Sequence, residues 1–234
     1  MSFKGQTVMI TGAAGNLGQA VSAAFAAAGA NLVLIDLNED ALQKIATAGA
    51  GDVLRQRVDL SNPASIAAAV DAAIARFGRI DALCNLAGGF QMGDKAHQIS
   101  ADKWNFMMEI NAGSVLRMSH AVVPHMLKAG AGRIVNIGAF SALSGKAEMG
   151  AYVASKCAVI RLTETMAAEL RASNINVNCV LPSIIDTPQN RAAMPKADPA
   201  RWVAPEALAD VLMFLCSPAA RAIHGAAIPV VGLS

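Results

Sequence analysis

Tyr152 and Lys156 stand four residues apart in a stretch of helical periodicity, so they share one helix face, one turn apart. A free phenol titrates near pH ~10 and is a poor base at neutral pH, whereas a cation close by favours the phenolate. Lowering it by ~2–3 units takes roughly 3–4 kcal/mol of differential stabilisation, and Lys156 is placed to supply part of it. So tuned, Tyr152 takes a proton from an alcohol or returns one to a carbonyl. The plainer alternative is a packed ring with its hydroxyl capped.

A second constellation lies near the start. Thr11-Gly12-Ala13-Ala14-Gly15-Asn16-Leu17-Gly18 joins a short apolar strand to an alanine-rich helix. Small residues there leave the helix N-terminus bare, and its N–H groups and dipole can hold a pyrophosphate. Glycines also mark ordinary turns, but here the order strand, glycines, helix, strand, acid is complete. Asp36 follows Gly18 by 18 residues, close to the ~20 of a ribose-binding acid. Its carboxylate accepts from a ribose 2′-hydroxyl but opposes a 2′-phosphate, and neither Asn16 nor Leu37 beside it offers a cation. NAD is therefore expected over NADP, with an oxidised nicotinamide ring as a second positive neighbour for Tyr152.

Metal chemistry has no such support. Cys84, Cys157, Cys179 and Cys216 are widely spaced in the chain with no CxxC pair, and His97, His120, His125 and His224 form no i,i+4 pair. Free thiols in a reducing compartment are expected.

The elements that must position these groups follow from periodicity. Strands are predicted at Thr7 to Thr11, Asn31 to Ile35, Val53 to Val58, Ala82 to Asn85, Arg133 to Ile137, Asn176 to Leu181 and Ala227 to Val231. Helices are predicted at Leu17 to Ala28, from Asn38 through Ile45, from Ser61 and Pro63 to Phe77, after Ser100, at Ala151 to Ala172, and at Pro205 to Cys216. This alternation predicts an α/β fold: a doubly wound parallel sheet with helices on both faces, in one domain over residues 1–234. The 234 residues are 54% hydrophobic and 15% charged, which excludes a disordered chain and suits strands buried on both faces. A net charge of +2 with scattered basic residues excludes a nucleic-acid footprint. No apolar run reaches the ~20 residues of a membrane span and no signal segment is evident, so a cytoplasmic protein without a membrane partner is expected.

On these residues the chain resembles the short-chain dehydrogenase/reductase family over nearly its whole length. Thr11, Gly12 and Gly18 match TGxxxGxG, with Asn16 in place of the middle glycine; Tyr152-Val153-Ala154-Ser155-Lys156 matches YxASK, the most specific signal. The resemblance implies a Rossmann-like fold and NAD bound by Gly12, Gly15, Asn16, Leu17, Gly18, Asp36, Leu37, Asp59, Leu60, Asn85, Ala87, Gly88, Tyr152, Lys156, Pro182 and Thr187. It also implies Lys156 orienting a ribose, Asn111 supporting a proton relay, and assembly as a homodimer or homotetramer. Ser183 replaces a glycine in the PGxxxT segment that holds the nicotinamide.

One departure bears on the reaction. Most members carry a serine thirteen residues before the tyrosine, and this chain has Ala139 there. Ser141 follows by two residues and, on an extended chain, points to the same side; it is the candidate substitute, with turn capping as the alternative. Gly138-Ala139 and the segment Asp186 to Trp202 resemble dihydropteridine reductase, a branch that lacks this serine. Gln91 to Gln98 and Gln189 to Arg201 are expected to wall the substrate pocket. The reading is an NAD(H)-dependent oxidoreductase of a small alcohol or carbonyl compound, with catalytic Tyr152, Lys156, Asn111 and Ser141. Two alternatives stay open: an NADH-dependent reductase of a quinonoid dihydropterin or imine-like ring, and a weakly catalytic NAD-binding regulator.

Overall fold

The computed structural model describes residues 1–234. Seven parallel strands form one sheet: β1 (Thr7–Thr11), β2 (Asn31–Asp36), β3 (Val53–Arg57), β4 (Ala82–Asn85), β5 (Gly132–Ile137), β6 (Ile175–Pro182) and β7 (Ala227–Val230). Their order is β3-β2-β1-β4-β5-β6-β7, so the chain winds outward from β1 in one direction and restarts at β4 in the other. The winding direction reverses between β1 and β4, and the crevice at such a switch point is where ligands enter open α/β sheets.

Eight α-helices flank the sheet: α1 (Asn16–Ala27), α2 (Glu39–Gln43), α3 (Pro63–Phe77), α4 (Ala101–Met108), α5 (Ser114–Ala129), α6 (Gly150–Leu170), α7 (Pro188–Ala193) and α8 (Pro205–Cys216). Alternate residues of each strand feed opposite layers. Met9, Val33 and Leu83 pack with α3, α5 and α6, while Val8, Ile10 and Leu34 pack with α1 and α8. Both faces are covered, which is why the strands read as continuous apolar runs. No helix is long and apolar enough to cross a membrane.

Two helix boundaries differ from expectation. The α2 helix is capped by Asn38 as predicted but stops at Gln43, short of Ile45. The Arg55 guanidinium takes the carbonyls of Leu42 and Ile45 (3.0 and 3.1 Å), substituting for further helical bonds while Ile45 turns into the core. The cap of α3 is Asn62, not Ser61: its side chain accepts from the Ala64 and Ser65 N–H groups, and the Ser61 hydroxyl donates instead to Asp59 at 2.7 Å. Between α4 and α5 the chain stays helical but widens into a π-turn at Glu109–Gly113, a feature that often marks functional sites.

All four cysteines are free thiols and three are buried. The fold brings together two that lie far apart in the chain: Cys84 Sγ is 3.9 Å from Cys216 Sγ. That contact and burial push the Cys84 thiol well above its usual range.

Candidate active site

Because every strand is parallel, all seven C-terminal ends open on one rim, and the predicted motifs follow them there. A cleft of about 570 Å³ lies at the crevice, lined by Gly12, Gly15, Asp36, Leu37, Asp59, Leu60, Ala87 and Gly88 among others. Asn16, Leu17, Gly18, Asn85, Tyr152, Lys156, Pro182 and Thr187 lie outside that lining. Gly18 and Asn85 are buried behind it.

The loop before α1 is closely fitted. Gly12 has φ +64°, and a Cβ there would meet the Ala87 backbone at 2.9 Å; a Cβ on Gly18 would run into the Gly12 carbonyl. Thr11 Oγ1 accepts from the N–H groups of Leu86 and Ala87 (3.1 and 3.2 Å), tying this loop to the end of β4. The N-terminus of α1 has Gly15 at the cap and no side-chain cap, so its first N–H groups stay available. Asp36 is half-buried: one carboxylate oxygen accepts from Ala14 N–H and the other from Asn38 N–H, both at 3.0 Å. A carboxylate has about four lone-pair sites, so acceptor capacity remains for a hydroxyl in the cleft. This donor and acceptor set fits a nicotinamide dinucleotide, with the bare helix end for its pyrophosphate and Asp36 for a ribose.

The absence of a nearby cation holds only along the chain. Strand pairing puts Arg57 in register with Asp36, on the same face of the sheet, and exposed. Its charge, after the Ser61 hydrogen bonds and the Arg117 charge, helps hold the Asp59 carboxyl below its usual range.

The catalytic candidates converge behind Gly88. A Cβ on Gly88 would meet Asn111 Oδ1 at 2.7 Å and Lys156 Nζ at 3.2 Å. Asn111 sits buried in the π-turn. Its amide oxygen accepts from Gly89 N–H at 3.0 Å, and its NH2 donates to the Gly89 carbonyl (3.1 Å) and to Ser155 Oγ (3.0 Å). The Ser155 hydroxyl donates in turn to the Tyr152 carbonyl at 2.8 Å. The Asn111 side chain thus fastens the loop after β4 to the first turns of α6, and hydrogen-bonds neither Tyr152 Oη nor Lys156. Lys156 Nζ donates to the Ile137 carbonyl at 2.8 Å. The Tyr152 ring packs edge-on to Phe90, centroids 4.8 Å apart, and its hydroxyl makes no hydrogen bond within the protein.

Burial governs both titrations. It pulls the Lys156 ammonium down to about 8 and pushes the Tyr152 phenol up to about 12. The expectation that Lys156 brings the phenol down is therefore corrected for the protein alone, since its ammonium is directed to the Ile137 carbonyl and desolvation of Tyr152 prevails. A stability signature follows. Between about pH 8 and 10.5 the unfolded chain keeps a proton on Lys156 that the folded chain has released, so stability rises with pH across that window. We expect wild-type stability to gain about 3 kcal/mol relative to Lys156→Met over this range, read from urea unfolding at each pH. The tyrosine contribution is common to both chains. A difference that stays flat from pH 8 to 10.5 refutes a depressed Lys156.

Ala139 is nearly fully buried at the end of β5, in extended backbone (φ −157°, ψ 142°). The chain then coils at once into a 3₁₀ turn, Phe140–Leu143, so it does not stay extended. The two-residue alternation that aligned Ser141 with position 139 is lost. Ser141 makes no hydrogen bond in the protein either, so it is not a turn cap.

The sequence reading missed the outer wall of the cleft. Phe106, Ile110, Ser114 and Arg117 line it, with Glu109 beside them. Their three- and four-residue spacing is one helical face running through the π-turn, a signal that lay in the periodicity around Asn111. It also missed the Phe90–Tyr152 contact and a hydrogen bond from Asn16 Nδ2 to Gln189 Oε1 (2.8 Å), which joins segments 173 residues apart.

Residues 6–198 match the family model described as short chain dehydrogenase. The chain is 33% identical to D-threitol dehydrogenase of Mycolicibacterium smegmatis, over 97% of this chain and 92% of that one. Its fold is similar to a short-chain type dehydrogenase/reductase from Mycobacterium ulcerans, with TM-score 0.93 and 29% identity over 100% of this chain and 90% of that one. It is also similar to NAD+-bound xylitol dehydrogenase, with TM-score 0.91 and 26% identity over 99% and 100%.

Proposed function

The chain belongs to the short-chain dehydrogenase family, oxidoreductases of CH–OH or C=O groups, and from that premise we propose that it uses NAD(H) to interconvert a small alcohol and its carbonyl compound. The observation that carries this reading is the linked set Asn111–Ser155–Tyr152, with Asn111 and Lys156 directly behind Gly88, a residue that lines the same cleft as Asp36.

In this reading the first turn of α1 holds the pyrophosphate, Asp36 with Leu37 the adenosine ribose, and Asp59 with Leu60 the adenine. Asn85, Ala87, Gly88, Pro182 and Thr187 frame the nicotinamide half. When bound, the nicotinamide accepts or supplies the hydride. Tyr152 Oη exchanges a proton with the substrate oxygen. Lys156 is the buried cation that orients ribose hydroxyls, and Asn111 holds both residues of α6 at the correct distance from the loop after β4. D-threitol dehydrogenase and xylitol dehydrogenase are named for small alcohols, which supports this substrate class. Pairing of copies through the half-buried Ala154, Cys157 and Ala158 of α6, as a homodimer or homotetramer, belongs to the same reading.

A second reading, reduction of a quinonoid dihydropterin or imine-like ring, is favoured by Ala139, which puts no hydroxyl where a substrate oxygen would need one. Following NADH absorbance with a panel of carbonyl compounds and a quinonoid dihydropterin separates the two. Turnover of the pterin alone overturns the first reading.

Cofactor choice is tested independently. NAD(H) should bind at least roughly tenfold more tightly than NADP(H) by isothermal titration, because Asp36 opposes a 2′-phosphate. Asp36→Ala combined with Leu37→Arg should shift the preference toward NADP(H). Equal wild-type affinities exclude the ribose assignment and make Arg57, across from Asp36, the group to replace next.

A further inference from the structure

Helix α7 is six residues long and buries none of them. An isolated helix of that length does not hold itself in water. Its base is nonetheless well braced. Thr187 caps it through the Asn190 N–H (3.2 Å), Asn190 Nδ2 donates to the Ile185 carbonyl (2.8 Å), and Arg191 forms a two-pronged ion pair with Asp186 (2.6 and 2.7 Å). Ile185 bridges Val203 at the segment's return, and the hydroxyl of Ser183 bonds the Val231 carbonyl (2.9 Å) near the chain end. All but the last of these bonds lie within residues 185–203, and the base they stiffen is anchored: Trp202 and Val203 are buried and Arg201 donates to the Leu233 carbonyl (2.6 Å), whereas α7 itself buries nothing against the sheet. One side-chain hydrogen bond from α7 leaves the segment: Asn16 Nδ2 to Gln189 Oε1.

Asn16 is the first residue of α1, in the loop that would carry the pyrophosphate, and it stands where the family pattern has a glycine. A glycine has no side chain to reach Gln189. We infer that Asn16 and Gln189 form a latch that seats α7 against the nucleotide loop and thereby slows release of the bound dinucleotide. Both are positioning residues: neither exchanges a proton or a hydride. The consequence for NADH rests on the cofactor reading above, while the seating of α7 does not. An exposed neutral hydrogen bond is weak, so the effect is modest: about threefold to tenfold in the population of the unseated segment.

The experiment compares full-length Asn16→Ala, Gln189→Leu, the double variant and Gln189→Glu, which keeps the acceptor oxygen. Amide hydrogen exchange over residues 188–194 is measured without cofactor, and NADH release is measured by stopped-flow fluorescence. Each of Asn16→Ala and Gln189→Leu should speed both by about threefold to tenfold, and the double variant should be no faster than the faster single. Gln189→Glu should retain wild-type exchange. Exchange unchanged in both single variants, effects that multiply in the double, or loss of protection in Gln189→Glu each overturn the latch. Altered exchange with unaltered NADH release overturns its role in cofactor residence. If the wild-type protein binds no NADH, the cofactor reading fails, and the exchange series still decides whether α7 is latched.

Discussion

Tyr152→Phe lowers kcat by about 10²–10⁴-fold and leaves NAD(H) affinity within about threefold of wild type. The separation is expected because the substitution is unusually clean. The ring keeps its edge-on contact with Phe90, and the hydroxyl it removes makes no hydrogen bond in the protein, so no buried partner is orphaned. What disappears is the proton that Tyr152 exchanges with the substrate oxygen in the proposed reaction. The pH dependence gives a second readout. Burial pushes the phenol upward, so in the carbonyl-reducing direction its acid form is present throughout the neutral range and the rate should be flat there. In the alcohol-oxidising direction the active form is the phenolate, whose fraction grows about tenfold per pH unit below its pKa; that rate should climb with pH in wild type and not in Tyr152→Phe. Steady-state kinetics in both directions, with cofactor titrations, check this. A variant keeping more than about a tenth of wild-type kcat removes Tyr152 from the proton transfer.

Most of this geometry was legible in one dimension. The strand periodicity places β1, β4 and the start of α8 to the residue, because strands buried on both faces leave little freedom to shift register. The motif residues reach one rim for the same topological reason. What local reading cannot supply is the set of contacts made across large sequence separations. Arg57 looks remote from Asp36 until β2 and β3 pair, Cys84 meets Cys216 only through α8 folding over the sheet, and Asn16 finds Gln189 on α7. The expected alignment of Ser141 with position 139 failed for a different reason. It assumed that extended backbone continues past Ala139, whereas β5 has no further strand partner there and the chain gains hydrogen bonds by coiling, as in Ala142 N–H to the Ala139 carbonyl at 3.0 Å. The phenol was misjudged because helical spacing reports a neighbouring cation and says nothing of burial, and here burial outweighs it.

Ala139 is where a single atom distinguishes the two substrate classes. Ala139→Ser adds one oxygen at a buried position whose backbone is ordinary extended chain, so the new side chain brings no backbone strain. If the reaction is carbonyl reduction or alcohol oxidation, that hydroxyl becomes a donor to the oxygen on which charge develops. Donors of this kind are worth ~2.7–4 kcal/mol where the site has evolved around them, and an added one captures part of that. We expect kcat/KM to rise by about tenfold or more. If the substrate is a quinonoid or imine ring, no oxyanion develops, and a hydroxyl placed among the apolar side chains around Ala139 is desolvated without a partner. The variant is then neutral or impaired, so the two cases differ in sign. Ser141→Ala adds an independent reading: Ser141 bonds nothing in the protein, so its removal costs the fold little, and any loss of kcat/KM reports a contact with substrate. The linked Asn111, Ser155 and Tyr152, together with the buried Lys156, favour the carbonyl case, because that apparatus serves a proton on oxygen. An impaired Ala139→Ser with a silent Ser141→Ala, in variants shown to fold and to bind NADH, reverses that choice and makes the ring reductase the better account.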